Sequence, residues 1–151
     1  MLLKCSHYVN TLYGLELYNE IMKYKLSNDV YYSCRFQVVW CTKYRRKILV
    51  DNIVYRLKEL LQEICNKLSA DLISVDIMPD HVVLLLEVAP QFGIHRTVKC
   101  LKGQTSRILR SEFKILTTRV PTLWTNYYSV STIGKPTAID IEDYLNTQKN
   151  N

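Results

Sequence analysis

The segment His81-Val82-Val83-Leu84-Leu85-Leu86-Glu87-Val88 limits the folds open to this chain more than any other. Its apolar residues are consecutive rather than alternating, so a strand made from it is apolar on both faces and belongs in the middle of a sheet. Pro79-Asp80 provides a turn just before it. Upstream of that turn, Ala70 to Met78 alternates in character: Ile73, Val75 and Ile77 face one way, Leu72, Ser74 and Asp76 the other. The two segments predict neighbouring strands at the heart of the fold.

The remaining elements follow from the same periodicities. Tyr31 to Trp40 is rich in β-branched and aromatic residues and reads as a strand. A basic turn, Lys43-Tyr44-Arg45-Arg46-Lys47, comes next. Asp51 is placed to cap a helix running to about Ser69, with Val54, Leu57, Leu61, Ile64 and Leu68 on one stripe. Pro90-Gln91-Phe92-Gly93 introduces a second helix, about Ile94 to Phe113, whose core face is Ile94, Val98, Leu101 and Ile108. A strand from about Tyr127 to Thr132, a break at Gly134-Lys135-Pro136 and a final helix over about 137–147 complete the chain. The order β-α-β-β-α-β plus one helix predicts an α+β, ferredoxin-like (RRM-like) antiparallel sheet with two helices on one face. Residues 1–29 read as an N-terminal extension and 30–151 as the domain.

A chain of 151 residues is long enough for one domain with a real core. Its formal charge of +6 favours a polyanionic partner, nucleic acid first. No apolar run approaches the ~20 residues that span a bilayer, and Lys4 and His7 are not followed by a signal-like apolar stretch. The expectation is a cytoplasmic protein without membrane contact. Cys5, Cys34, Cys41, Cys65 and Cys100 form no CxxC pair and match neither a zinc site nor a disulfide framework.

Alternation along a strand puts Val82, Leu84, Leu86 and Val88 under the helices and His81, Val83 and Leu85 on the open face. Two histidines at 81 and 83 would project together and suit one metal ion; only His81 is present. On the last helix Tyr144 and Gln148 are four apart and share a face. By residue type alone, His81 reads first as a hydrogen-bonded structural histidine and Tyr144 as an ordinary tyrosine of an amphipathic helix. Lys43, Arg45, Arg46 and Lys47 offer phosphate contacts, with Tyr44 among them able to stack on an unpaired base. Lys99, Lys102, Arg107 and Arg110 add positive charge on the second helix, as DNA contacts or as a solvated face.

Several segments, taken in order, carry a family resemblance. They are Val39-Trp40-Cys41-Thr42-Lys43-Tyr44-Arg45-Arg46-Lys47, Met78-Pro79-Asp80-His81, Pro90-Gln91-Phe92-Gly93-Ile94, Lys102-Gly103-Gln104-Thr105-Ser106-Arg107, Pro121-Thr122-Leu123-Trp124-Thr125-Asn126, and Tyr144 with Gln148. The chain resembles the single-tyrosine HUH transposases of small single-strand insertion sequences over nearly everything after residue 29. The resemblance implies that Tyr144 attacks single-stranded DNA to give a 5′-phosphotyrosine and a free 3′-OH. It also implies that His81 and Gln148 ligate Mg or Mn, and that Lys43, Tyr44, Arg45, Arg46, Lys47, Lys102 and Arg107 contact DNA. The implied partners are hairpins at the element ends and a second copy of the chain, with no nucleotide cofactor. In such a homodimer the C-terminal helix can deliver its tyrosine to either site.

Two positions depart from the family pattern. Val83 stands where the second histidine is expected, and valine neither binds a hard cation nor hydrogen-bonds phosphate. Asp76 is the substitute ligand that the strand pattern offers. Gly134-Lys135-Pro136 has one glycine where the family often has two, which narrows the hinge before the helix. The departure at Val83 makes a hairpin-DNA-binding homologue with impaired or lost metal binding the alternative to an active transposase. An RNA-recognition module of the same topology fits less well, because the strands lack a row of solvent-facing aromatics.

Overall fold

The computed structural model describes residues 25–134. A short hairpin opens the described chain: β1 (Lys25–Ser27) pairs with β2 (Val30–Tyr32). Its two-residue loop, Asn28-Asp29, has φ +47° and +64°, the doubly left-handed turn that matches strand twist. The chain breaks at Ser33-Cys34 and continues as β3 (Arg35–Cys41), α1 (Asn52–Lys67), β4 (Asp71–Met78), β5 (His81–Glu87), α2 (Ile94–Glu112), α3 (Lys114–Arg119) and β6 (Ser129–Ile133). The strand expected from Tyr31 to Trp40 is divided into β2 and β3, and α3 is a helix beyond those expected.

The four main strands lie in the order β4-β5-β3-β6, every neighbouring pair antiparallel. This is the interleaved pair of β-α-β units expected of a ferredoxin-like fold. β5 is central, and Val82, Leu84 and Leu86 are fully buried with Val38 and Trp40 of β3. Against them pack Leu57, Leu60, Leu61 and Ile64 of α1 and Val98, Leu101 and Leu109 of α2. Both helices therefore cover one face, and His81, Val83 and Leu85 lie half-buried on the other.

Three local expectations need correction. The β4–β5 register pairs Leu72 with Leu86 and then Ser74 with Leu85, so Ile73 is a bulged residue. The extra residue returns Leu72 to the core face and takes Ile73 out of the alternation. Asp51 makes no side-chain cap and has φ +49°. The core face of α2 includes Thr97 and Thr105, both fully buried. Each hydroxyl bonds back to a carbonyl four residues earlier, Thr97 to Gly93 O at 3.0 Å and Thr105 to Leu101 O at 2.6 Å. That bond removes the penalty for burying a hydroxyl and leaves the methyl to pack.

Thr105 also supports the segment that leads to β6. Its Oγ1 accepts the indole N–H of Trp124 at 3.0 Å, and the Trp124 ring stands edge-on to Trp40 with centroids 5.9 Å apart. Thr105→Val keeps the shape and removes the acceptor, stranding a buried N–H. The expected cost is about 1–3 kcal/mol, read as a lower midpoint with unchanged slope in urea denaturation.

Candidate functional site

The site is built where β3 ends and the β4–β5 turn begins. Thr42, fully buried, donates its backbone N–H to Asp80 O at 3.0 Å. Its Oγ1 lies 2.7 Å from Arg46 O and 3.2 Å from Asp80 O. Ile48 N and Leu49 N both donate to Pro79 O at 3.0 Å. On the other side Lys43 N donates to Leu123 O at 2.9 Å and Thr125 N to Cys41 O at 3.0 Å. The basic turn is thus stitched between the Pro79-Asp80 turn and the Trp124 segment, directly beside His81.

Inside this frame Tyr44 and Arg45 adopt φ of +58° and +50°. Left-handed conformations cost bulky residues roughly 1–2 kcal/mol each, and they persist where surrounding contacts over-determine them, commonly at binding sites. The outcome here is exposure: Tyr44 is 69% exposed, and the ammonium of Lys43 sits 5.1 Å from its ring centroid. Arg46 and Lys47 are exposed as well.

Arg45 links the turn to the histidine. Its Nη2 donates to Asp80 Oδ2 at 2.9 Å, and Asp80 Oδ1 lies 2.6 Å from His81 Nδ1. The His81 hydrogen bond, followed by the Arg45 guanidinium, holds the Asp80 carboxyl below the usual carboxylate range. An ionised carboxylate only accepts, so Nδ1 carries a proton, and in the neutral imidazole the lone pair is on Nε2. Metal-ligating histidines commonly have such a carboxylate partner on the ring nitrogen away from the metal. Sequence reading passed over Asp80; its one signal was a carboxylate immediately before the histidine.

The sheet register fixes what shares the open face with His81. Met78, His81 and Cys41 form one cross-strand row, and Asp76, Val83, Val39 and Ser129 the next. Asp76 is exposed and directly opposite Val83 on the His81 side, with paired Cβ atoms ~5 Å apart in such rows. Among the described residues no group of three His, Cys, Asp or Glu converges. His81 brings an imidazole to this face and Asp76 a carboxylate, and a six-coordinate hard cation needs more than these two. Tyr144 and Gln148 lie outside the described residues. Gly134, next to the last described strand, takes φ +96°, a conformation that favours glycine.

The cations of α2 are not brought to this site. Lys102, expected among the DNA contacts, turns inward: Nζ meets the carbonyls of Thr125 at 2.6 Å, Tyr127 at 3.1 Å and Asn126 at 3.3 Å. Burial lowers its pKa. Arg110 similarly donates to Pro121 O at 2.6 Å. Both cations satisfy carbonyls of the irregular segment that frames the site, which their helical spacing did not reveal. Arg107 is exposed, but α2 covers the sheet face opposite His81.

Thr42 is the pin of the arrangement. Thr42→Val preserves volume and leaves Arg46 O without its hydroxyl partner. A loss of about 1–2 kcal/mol is expected, together with faster tryptic cleavage at Arg45, Arg46 or Lys47 at concentrations where the parent protein resists.

Known proteins share this chain's sequence pattern and fold. A family model described as "Transposase IS200 like" matches residues 30–148. The chain is 31% identical over 129 residues to the ISDra2 transposase TnpA of Deinococcus radiodurans, covering 84% of this chain and 92% of that protein. It is 28% identical over 119 residues to the transposase for insertion sequence element IS200 of Salmonella typhimurium, covering 78% of each. The crystal structure of a candidate transposase from Deinococcus radiodurans matches the fold with a TM-score of 0.68 and 34% identity, covering 82% of this chain and 97% of that one. No helix among the described residues is long and apolar enough to cross a membrane. The chain belongs to the IS200-like transposases, the single-tyrosine family that its sequence resembles.

Proposed function

We propose that this protein cuts and rejoins single-stranded DNA at the ends of an insertion sequence, with Tyr144 as nucleophile. The observation that carries the reading is His81, held by Asp80 with Nε2 available on the open sheet face beside an exposed basic turn. In the cleavage step the Tyr144 Oη–P bond forms and the P–O3′ bond breaks. The phenol proton leaves, and the departing 3′ oxygen ends as a hydroxyl. A second 3′-OH reverses the step on the 5′-phosphotyrosine, so no nucleotide cofactor is required.

His81, Gln148 and Asp76 are the residues we assign to hold a divalent ion, with Asp76 in place of a second histidine at Val83. Mixed imidazole and oxygen donors suit Mn at least as well as Mg. When bound, such an ion polarises the scissile phosphate and offsets its charge. The chain's own residues orient the strand: Lys43, Arg45, Arg46 and Lys47 take phosphates, and Tyr44 stacks on an unpaired base. The substrate is an imperfect hairpin at each element end, and the working unit is a homodimer. Lys102 serves this surface indirectly, by holding the 125–127 backbone.

One observation favours a second reading. Val83 presents a branched apolar side chain in the row where a ligand is needed, and a lost ligand weakens a site more than the roughly 10–100-fold of a second-shell loss. On that reading the protein binds hairpins and no longer cleaves.

A covalent-adduct assay separates the two. The protein is mixed with labelled single-stranded DNA carrying its own element end and Mn, then run on a denaturing gel. An adduct from the parent chain, absent in Tyr144→Phe and sharply reduced in Asp76→Asn, is the expected result. An adduct that appears only with Val83→His supports the binding-only reading. Separately, the combined Arg46→Ala and Lys47→Ala changes should lower the slope of log K against log salt by about 0.7 for each phosphate contact removed. Fluorescence anisotropy across a salt series measures it.

A further inference from the structure

The Arg45–Asp80–His81 chain of contacts joins two parts of the surface that the cleavage reading treats separately. Asp80 meets His81 through Oδ1 and Arg45 through Oδ2, at 2.6 and 2.9 Å. Both carboxylate oxygens are therefore engaged, and the carboxylate is largely shielded, its side chain 16% exposed. Arg45 is different: its side chain is 70% exposed and one guanidinium N–H group of several is committed to Asp80. Its remaining donors face solvent in a fixed fork suited to a phosphate oxygen pair. The backbone around it has little freedom. Arg45 N donates to Thr42 O at 3.0 Å, and Thr42 is itself bonded to Asp80 through the main chain. Tyr44 and Arg45 both take left-handed φ within this turn.

We propose that Asp80 is the positioning residue that fixes the tautomer and orientation of His81, and that Arg45 is a bridge carrying the occupancy of the phosphate site on the basic turn to that histidine. The proposal rests on His81 as the ligand-bearing residue of the cleavage reading. Its physical content is a shared carboxylate. With no strand bound, Arg45 and His81 both draw on Asp80. A phosphate accepted by Arg45 takes part of the guanidinium's hydrogen bonding away from Asp80. The carboxylate then accepts more strongly from His81 Nδ1–H, which strengthens Nε2 as a donor atom. DNA engagement and readiness of the histidine are in this way linked through one side chain, without any movement of the sheet.

The test uses the full-length protein and reads the imidazole directly. Nitrogen NMR of the His81 ring, in metal-free protein at a pH where the ring is neutral, gives the tautomer. The parent protein should show Nδ1–H. Asp80→Ala should revert to the Nε2–H form that free histidine favours. Asp80→Asn, whose amide can donate or accept, should show a mixture. The backbone carbonyl of Asp80, not its side chain, receives the Thr42 bonds, so the turn persists in both variants, and amide spectra verify it. Mn affinity should fall about 10- to 100-fold in Asp80→Ala. For the bridge, oligothymidylate is the probe: it should shift the His81 ring nitrogens in the parent and not in Arg45→Ala, while anisotropy still detects binding through Lys43, Arg46 and Lys47. A retained Nδ1–H form in Asp80→Ala overturns the positioning role. An undiminished His81 response in Arg45→Ala overturns the bridge. A tautomer that follows Asp80 in a protein forming no Tyr144 adduct sinks cleavage and leaves the positioning role standing.

Discussion

Everything distinctive about this surface depends on the hydrogen bonds that fasten one turn to another. Thr42, Ile48 and Leu49 all donate to the carbonyls of Pro79 and Asp80. A tight turn between two strands normally leaves such carbonyls to water. Here they are covered by a second, positively charged turn, and the histidine that begins β5 is placed at its edge. Remove those bonds and the domain keeps its sheet and helices, since the core of β5, α1 and α2 lies on the other face. What it loses is the juxtaposition of cations, an exposed tyrosine and an oriented imidazole. The strain at Tyr44 and Arg45 is tolerated for the same reason: the bonds on either side leave those residues no other path.

Much of the architecture was legible because it follows from burial. The consecutive apolar residues of β5 require a central strand, and the three-and-four spacing on α1 requires a helix packed on one side; the structure has both. The basic turn and His81 were recognisable as residue types, and the register then put them together. What was not legible depends on backbone detail or on contacts distant in sequence. A bulge at Ile73 has no signature in an alternating strand, yet it reverses which of Leu72 and Ile73 meets the core. The left-handed turn at Tyr44 contains no glycine or asparagine to announce it. Helical spacing places Lys102 and Arg110 off the core stripe but says nothing of the 121–127 segment returning to meet them. The roles given to Tyr144 and Gln148 come from resemblance, and both residues fall outside the described ones.

Val83 gives the protein its particular problem. Its neighbours in the row are Asp76 on one side and Val39 on the other; on the proposed reading, the missing ligand is local to one strand. Oxygen is at hand across the strand pair, while the same position on β5 is apolar. A carboxylate in this role changes the chemistry: it brings negative charge toward the phosphate it must help to bind, and it suits a harder, more oxygen-loving cation than an imidazole pair does. On the same proposal, the neighbouring basic turn offsets that negative charge.

The most direct test of this account is to locate a bound divalent ion. Mn broadens NMR signals only near its binding position, so a titration of isotopically labelled full-length protein with Mn maps the site residue by residue. The account predicts selective loss of the His81 ring signals together with the amides around Asp76, before any other region responds. Broadening spread over the acidic residues of α1, with His81 unaffected at the same Mn concentration, would contradict it.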